Sequence, residues 1–218
     1  MDSNIVGVIG AKGGVGTTTT TILLALAHHK RLNEESFGTP RRVYIVDCCG
    51  DVAAALGQSA APWGERVEVK PGLVVVPLAS LGTNEVERHG RLRTLTAFGA
   101  PVFVDCGAIT DARTDAQVIW NDIATERVAV MRNDYLGLRS WVQRTHAPFH
   151  VGLCVVEPNR ALSMTDVRQV VGGVVYEVAH LDGLARAVDA GVLATRVPSQ
   201  VHRWDSAVLD SLALTPAR

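Results

Sequence analysis

A glycine-rich segment between two apolar runs constrains this chain more than any other feature. Gly10-Ala11-Lys12-Gly13-Gly14-Val15-Gly16-Thr17-Thr18-Thr19 follows the apolar Ile5–Ile9 and precedes the apolar-periodic Ile22–Leu26. A buried strand running into a glycine loop that opens a helix is the arrangement that cradles phosphate. Glycines let backbone N–H groups converge on an anion, and the helix points its positive dipole end at the same place. The usual loop, G-x-x-x-x-G-K-S/T, has a lysine just before the hydroxyl residue. Here Thr17 fills that place, and Lys12, near the start, is the loop's only lysine. Thr18 stands where a hydroxyl ligands a magnesium ion shared with phosphate oxygens.

The rest of the chain alternates short β-rich runs with helical patterns. Strands are expected at Asn4–Ile9, Arg42–Val46, Leu73–Val76, Val102–Val104, Val128–Met131, Val151–Val156 and Val174–Val178. They are near-continuous apolar runs, as strands covered on both faces require. Helices are expected at Thr18–Lys30, Val52–Leu56, Asn84–Thr96, Asp115–Asp122, Asp134–Thr145, Ser163–Val171, Leu181–Ala190 and from about Gln200 to Leu212. Ser163 or Thr165 before Asp166, and Asp134 before Leu136, are capping signals. Gly57 to Gly72, with Pro62, Trp63 and Pro71, reads as an irregular surface excursion. Such alternation implies an α/β, doubly wound, mostly parallel sheet with helices on both faces, and ligands at the carboxyl ends of its strands. At 218 residues, 1–218 reads as a single domain.

Two strand ends supply companions for the loop. Val43-Tyr44-Ile45-Val46-Asp47 and Val102-Phe103-Val104-Asp105 each deliver a carboxylate from a buried strand. A carboxylate so placed can hold a magnesium-bound water. One such aspartate is ordinary, because loops begin where strands end. Two, beside the glycine loop, point to a nucleotide-phosphate site.

Lys12-Gly13-Gly14-Val15-Gly16-x-Thr18-Thr19 resembles the deviant Walker A loop, K-G-G-x-G-K-S/T, of the ParA/MinD family of dimerising ATPases. The likeness continues through Asp47 and Asp105 to Ala187-Val188-Asp189-Ala190-Gly191. Within that family the chain is most similar to the CpaE/TadZ branch of pilus-assembly and septum-site-like localisation ATPases. There the loop lysine is often a small residue, as at Thr17, and the second acidic motif runs into G-D-V-A, as in Gly50-Asp51-Val52-Ala53-Ala54-Ala55-Leu56.

The resemblance implies a SIMIBI-type P-loop NTPase with ATP and Mg2+ as cofactors. It implies that Gly13, Gly14, Val15, Gly16, Thr17, Thr18 and Thr19 hold the nucleotide, and that Thr18 and Asp105 serve the metal. Asp47 would position the attacking water, and Lys12 would reach across a nucleotide-sandwich homodimer to the partner's phosphates. The chain departs from the pattern at Cys49, where many members have a second aspartate. No base-recognising asparagine is assigned; Glu157-Pro158-Asn159 falls in the corresponding region. A missing loop lysine removes a preorganised charge worth about 3 kcal/mol, on the order of a hundredfold in rate. Slow, dimer-dependent hydrolysis or binding without turnover is therefore expected. The leading function is a cytoplasmic, nucleotide-dependent dimerising switch that positions a partner machine of a localisation, secretion, pilus or partition system. The alternatives are a ParA-type partition ATPase binding nonspecific DNA, and a non-catalytic scaffold on the same fold.

Other features point less far. Apolar content of 47%, charged content of 20% and a net charge of −1 describe an ordinary globular protein with no overall attraction to nucleic acid. No apolar run reaches the roughly 18 residues of a membrane span, and no signal peptide is visible. Cys48, Cys49, Cys106 and Cys154 lack metal-ligand spacing and read as buried, reduced thiols, an iron–sulfur role having no matched spacing. His28-His29 reads as a helix end where positive charge is comfortable. His146 and His150 flank Pro148 without a nucleophile pattern. Arg132, Arg139 and Arg144 read as a solvated face, with DNA contact as the alternative. Trp204, Val208, Leu209 and Leu212 form a stripe that packs on the body, while Asp205, Ser206, Asp210 and Ser211 make a polar face that anionic lipid would repel.

Overall fold

Unbroken β-branched runs build the sheet. In the computed structural model, which describes residues 4–34, 40–58, 65–110, 112–144 and 148–214, the strands are β1 (Ile5–Gly10), β2 (Val43–Asp47), β3 (Val67–Lys70), β4 (Leu73–Pro77), β5 (Val102–Ala108), β6 (Glu126–Arg132), β7 (Val151–Val156) and β8 (Val175–Ala179). They form one eight-stranded sheet in the order β3-β4-β2-β5-β1-β6-β7-β8. Every pairing is parallel except the edge pair β3–β4. β1 lies at the centre, between β5 and β6. Strand order reverses across it, so the crevice outside its carboxyl end is where a ligand site forms in such sheets.

The helices are α1 (Thr17–Glu34), α2 (Val52–Ala55), α3 (Glu85–Leu95), α4 (Asp115–Val118), α5 (Tyr135–Arg144), α6 (Met164–Val171), α7 (Asp182–Asp189) and α8 (His202–Ser211). Period-two alternation divides the strands between two cores. Val6, Val8, Ile45 and Phe103 face α1, α2, α7 and α8. Ile5, Ile9, Val46 and Val104 face α3, α5 and α6. Helices thus cover both faces, as the apolar strands require. Among the described residues, no helix is long and apolar enough to cross a membrane.

The caps form where side chains can reach orphan amides. Ser163 accepts from the Asp166 N–H while Asp166 accepts from the Ser163 N–H and hydroxyl. Asp134 accepts from the Gly137 N–H at 2.7 Å. The expected helix Asp115–Asp122 stays α-helical only through Val118 and widens into a π-turn, Ile119–Ile123, that buries Trp120 against the edge of Trp141.

Several expectations need correction. The stretch from Gly57 to Gly72 contains β3, whose half-buried, alternating Val-Glu-Val-Lys suits an edge strand; Pro62 and Trp63, like Thr145 and His146, lie outside the described residues. Asp205 is buried in the body rather than carried on the polar face of α8, whereas Trp204, Val208, Leu209 and Leu212 pack inward as expected. Cys49 is exposed. His28 is not a comfortable cation: its ring packs 5.8 Å from Phe103, and burial, reinforced by Arg31 and His29, pushes its imidazole down to about 4.

His28 therefore stays neutral in the folded chain while the same residue in the unfolded chain takes up a proton near its ordinary value of about 6.5. Its contribution to stability is complete above that pH and is lost as pH falls toward about 4, a change of at most ~3 kcal/mol. Urea unfolding of wild type and His28→Leu should diverge in favour of the variant between pH 7 and pH 4.5, by ~1–3 kcal/mol. A gap independent of pH would show that His28 does not titrate this way.

Candidate nucleotide-phosphate site

The loop Ala11–Gly16 occupies the crevice at the carboxyl end of β1, joining it to α1. Gly10 is fixed by crowding. A Cβ there would stand 2.2 Å from Thr17 Oγ1 and 2.7 Å from Val15 Cγ2, so only glycine lets the loop fold back over the strand end. Gly16 turns the chain into α1 with φ +98°, in the region that favours glycine. A Cβ at Gly13, Gly14 or Gly16 would meet nothing within 4 Å, so the loop stands clear with room beside its amides. The first turn of α1 carries no acidic residue, leaving its partial positive charge available to an anion.

All eight residues Lys12 to Thr19 line one cavity of about 760 Å³. Cys49, Asp51, Arg132 and His180 border it as well, and Leu184, Val188 and Trp204 give it an apolar end. Asp105 is fully buried behind Thr18, accepting a hydrogen bond from the Thr18 hydroxyl at 2.6 Å and one from the Gly107 N–H at 3.1 Å. Burial pushes its carboxyl up to about 6 despite those two hydrogen bonds, with the charges of Asp47 and Asp51 adding to the rise. Thr18 and Asp105 thus meet as an oxygen pair suited to a hard divalent cation.

Asp47 stands beside Asp105, its in-register partner on the neighbouring strand. Its Oδ1 accepts from the N–H groups of Cys49 (2.9 Å) and Gly50 (2.7 Å), and its Oδ2 accepts from Val52 N–H (3.0 Å). The carboxylate therefore shapes the turn into α2, and it lines a neighbouring cavity of about 400 Å³ rather than the loop's own. Cys49 borders both cavities. Although the residue is exposed overall, partial desolvation of its thiol and the carboxylates of Asp105, Asp47 and Asp51 push it up to about 12, so it is protonated at neutral pH.

Two partners were not legible in sequence. Lys12 Nζ donates to Asp134 Oδ1 at 3.0 Å within the same chain. Burial pushes the Asp134 carboxyl up, but the Gly137 N–H and Lys12 outweigh it and hold it below its ordinary value. Arg132 donates to the Gly14 carbonyl and pairs with Glu157 Oε1 at 2.5 Å, Glu157 being held in turn by Arg160. Arg132 is therefore part of the loop's surroundings and not of a basic face with Arg139 and Arg144. Asn133, buried, bonds both the N–H and the carbonyl of Glu157. Asn159 is exposed with φ +64° and does not border the cavity. A rule that pairs the end of one strand with the next would have proposed Arg132 and Glu157, since β6 and β7 are neighbours.

The sheet order, the loop at the central strand and the flanking helices define a P-loop NTPase α/β fold. Solved structures agree. The chain superposes on a ParA family ATPase from Chlorobium tepidum TLS with a TM-score of 0.74 at 16% identity, over 97% of this chain and 100% of that one. It superposes on McdA from Cyanothece, solved in complex with ATP, with a TM-score of 0.63 at 15% identity, over 98% of both chains. The septum site-determining protein MinD from Pyrococcus horikoshii OT3, complexed with Mg-ADP, gives 0.66 at 11% identity, over 97% of this chain and 100% of that one. The chain therefore has the ParA/MinD fold along nearly its whole length. No protein-family model and no curated protein matches the sequence.

The raised Asp105 carboxyl makes a prediction for the metal-free protein. The folded state keeps its proton up to about pH 6, while the unfolded chain loses it near 3.9, so stability falls across that interval as pH rises. Asp105→Asn removes the fall. In chelator, the variant should gain ~1–3 kcal/mol over wild type at pH 7.5 and little at pH 4. Equilibrium urea unfolding at both pH values checks it.

Proposed function

We propose that this chain is a nucleotide-dependent switch of the ParA/MinD type that binds ATP with Mg2+, closes two copies face to face and thereby positions a partner protein. The observation that carries the reading is the Thr18–Asp105 contact at the base of an open amide cradle on the central strand. The residues fit the ligand. Amides of the loop and the start of α1 would hold the phosphates, with Thr17 and Thr19 beside them, while the Thr18 hydroxyl and Asp105 would hold the metal. The metal supplies charge neutralisation at the phosphate oxygens. An apolar end to the cavity suits the rest of a nucleotide.

The cations around the cavity are committed within the chain: Lys12 to Asp134 and Arg132 to Glu157. With Thr17 in place of the loop lysine, phosphate binding would rest on amides and the helix dipole more than on formal charge. Reaching a second copy would require Lys12 to leave Asp134. The contact is half-exposed at Lys12, and such pairs cost only about 1 kcal/mol to break. The reading is a single-domain, cytoplasmic protein with slow turnover, close to the CpaE/TadZ branch. A non-catalytic scaffold on the same fold is the second reading, favoured by the neutral residues at both Thr17 and Cys49.

Sedimentation velocity with and without Mg-ATP tests the switch directly. A shift from monomer to dimer that Lys12→Ala abolishes is expected; an unchanged monomer together with no calorimetric heat for ATP or ADP would remove the reading. A second experiment restores the missing charge. Thr17→Lys should raise steady-state phosphate release by roughly a hundredfold, whereas Thr17→Ala should not. Equal rates in the two variants would mean that the lysine is not what limits turnover.

A further inference from the structure

On the opposite face of the sheet from α1, α3 and α4 bring Glu85, His89 and Asp115 together. One ligand atom from each lies within 4.8 Å of the other two. Glu85 and His89 are one helical turn apart on α3, and Asp115 opens α4. Both helix starts are held in place: Asn84 caps α3 by accepting from the Glu87 N–H, and Thr114 and Gln117 cap α4 reciprocally. The backbones that carry these donors are therefore preorganised.

His89 is the informative member. It is only 9% exposed. Its Nδ1 stands 3.9 Å from Glu85 Oε1, outside hydrogen-bond range, and its Nε2 is buried with no hydrogen-bond partner among the described residues. A buried imidazole within 4.8 Å of two carboxylates, with one ring nitrogen lacking a hydrogen-bond partner among the described residues, is a donor set without its acceptor.

We propose that Glu85, His89 and Asp115 bind one divalent transition-metal ion of the zinc class. An imidazole with two carboxylates suits zinc, cobalt or nickel better than magnesium or calcium. Zinc bonds to nitrogen and oxygen are about 2.0–2.2 Å, which sets tetrahedral ligands roughly 3.4 Å apart. The cluster reaches that spacing by side-chain shifts of about an ångström, and three protein ligands leave a position for water.

The neighbouring arginines do not occupy the site. Arg88 takes Asp115 by one oxygen: Nε and Nη2 both stand 2.5 Å from Oδ2, which leaves Oδ1 to the ion and fixes the carboxylate's orientation. Arg113 approaches Glu85 Oε1 only at 3.9 Å, and its side chain is 79% exposed and free to swing away. A bound ion would tie α3 to the start of α4, the segment that follows Asp105 in the chain. Asp115 and Arg88 also line the cavity of about 400 Å³ that Asp47 and Cys49 share, so the ion would brace the loops beside the nucleotide cavity without touching it.

The test uses the full chain, stripped with chelator and free of nucleotide, so its outcome is separate from that of the nucleotide reading. Calorimetric titration with zinc chloride should show one site per chain, not displaced by millimolar magnesium. His89→Ala and Glu85→Gln should each weaken it by about tenfold or more, while Cys49→Ser leaves it unchanged. Cobalt in place of zinc should give a spectrum without a thiolate charge-transfer band. No heat in wild type, equal affinity in Glu85→Gln, or loss of binding in Cys49→Ser would each overturn the proposal. Should His89→Ala fail to fold, Glu85→Gln decides alone, because that side chain is 46% exposed and removable without harm to the core.

Discussion

A carboxylate with no solvent exposure, held by one hydroxyl and one amide, is the constraint around which the rest of this molecule is arranged. Asp105 can lie within the covered part of a central strand only if its neighbours offset part of the loss of water. Thr18 does so from the first turn of α1 and Gly107 from the strand's own continuation. That contact sets where α1 begins relative to β5. Because α1 begins there, the six residues Ala11–Gly16 must cross the strand end in a tight arch, which is why Gly10 admits no side chain. The amide cradle is thus a consequence of satisfying one buried acid. The balance is incomplete, since the carboxyl remains raised to about 6, and a cation against Asp105 would relieve what the hydrogen bonds leave.

Charge around the cavity follows a different logic. Lys12 and Arg132 both point to the loop region, yet each is neutralised by a carboxylate from the β6–β7 side of the sheet. Arg132 also holds the Gly14 carbonyl, so β6 stiffens the arch from outside. Asn133, next in the chain, clasps the backbone of Glu157, the residue that pairs with Arg132. Adjacent residues on one strand end therefore fix both the partner and the partner's backbone. The result is a loop braced by its own subunit, its side-chain cations paired and its first amide, Ala11 N–H, given to the Val130 carbonyl.

Much of the fold was legible because buried parallel strands leave unbroken apolar runs, and seven of the eight strands announce themselves this way. β3 did not. Val67-Glu68-Val69-Lys70 is short, half-buried and alternating, and among the described residues it pairs with β4 alone. An edge strand of that kind is specified by its neighbour more than by its own residues. The glycine loop, Thr18 and Asp105 were readable as a group, because the motif encodes local backbone geometry. Asp134 and Arg132 were not, since their roles depend on which strand lies beside β1. Burial misled where composition was ambiguous: Asp205 looks like a polar helix face but is interior, and Cys49 looks like a core thiol but is exposed. Single residues at element ends carry too little pattern to resolve in from out.

If the chain turns nucleotide over as proposed, the loop after β2 would bear on the rate as directly as Thr17. A residue there that activates or orients water must present an acceptor to the cavity. Asp47 spends both oxygens on the amides of Cys49, Gly50 and Val52, and that is what builds the turn. Cys49 does face the cavity, but a thiol pushed up to about 12 is protonated at neutral pH and accepts poorly. Asp51 is the acidic side chain of this loop that borders the cavity and is exposed. Exposed, it keeps its water and gains little of the preorganisation that makes an acceptor effective. Under the proposed reading, the missing loop lysine and the neutral thiol would act on different parts of one reaction, one on developing charge at phosphate and one on the attacking water. Their effects would then compound, and the state with nucleotide bound would persist long enough to serve as the signal itself.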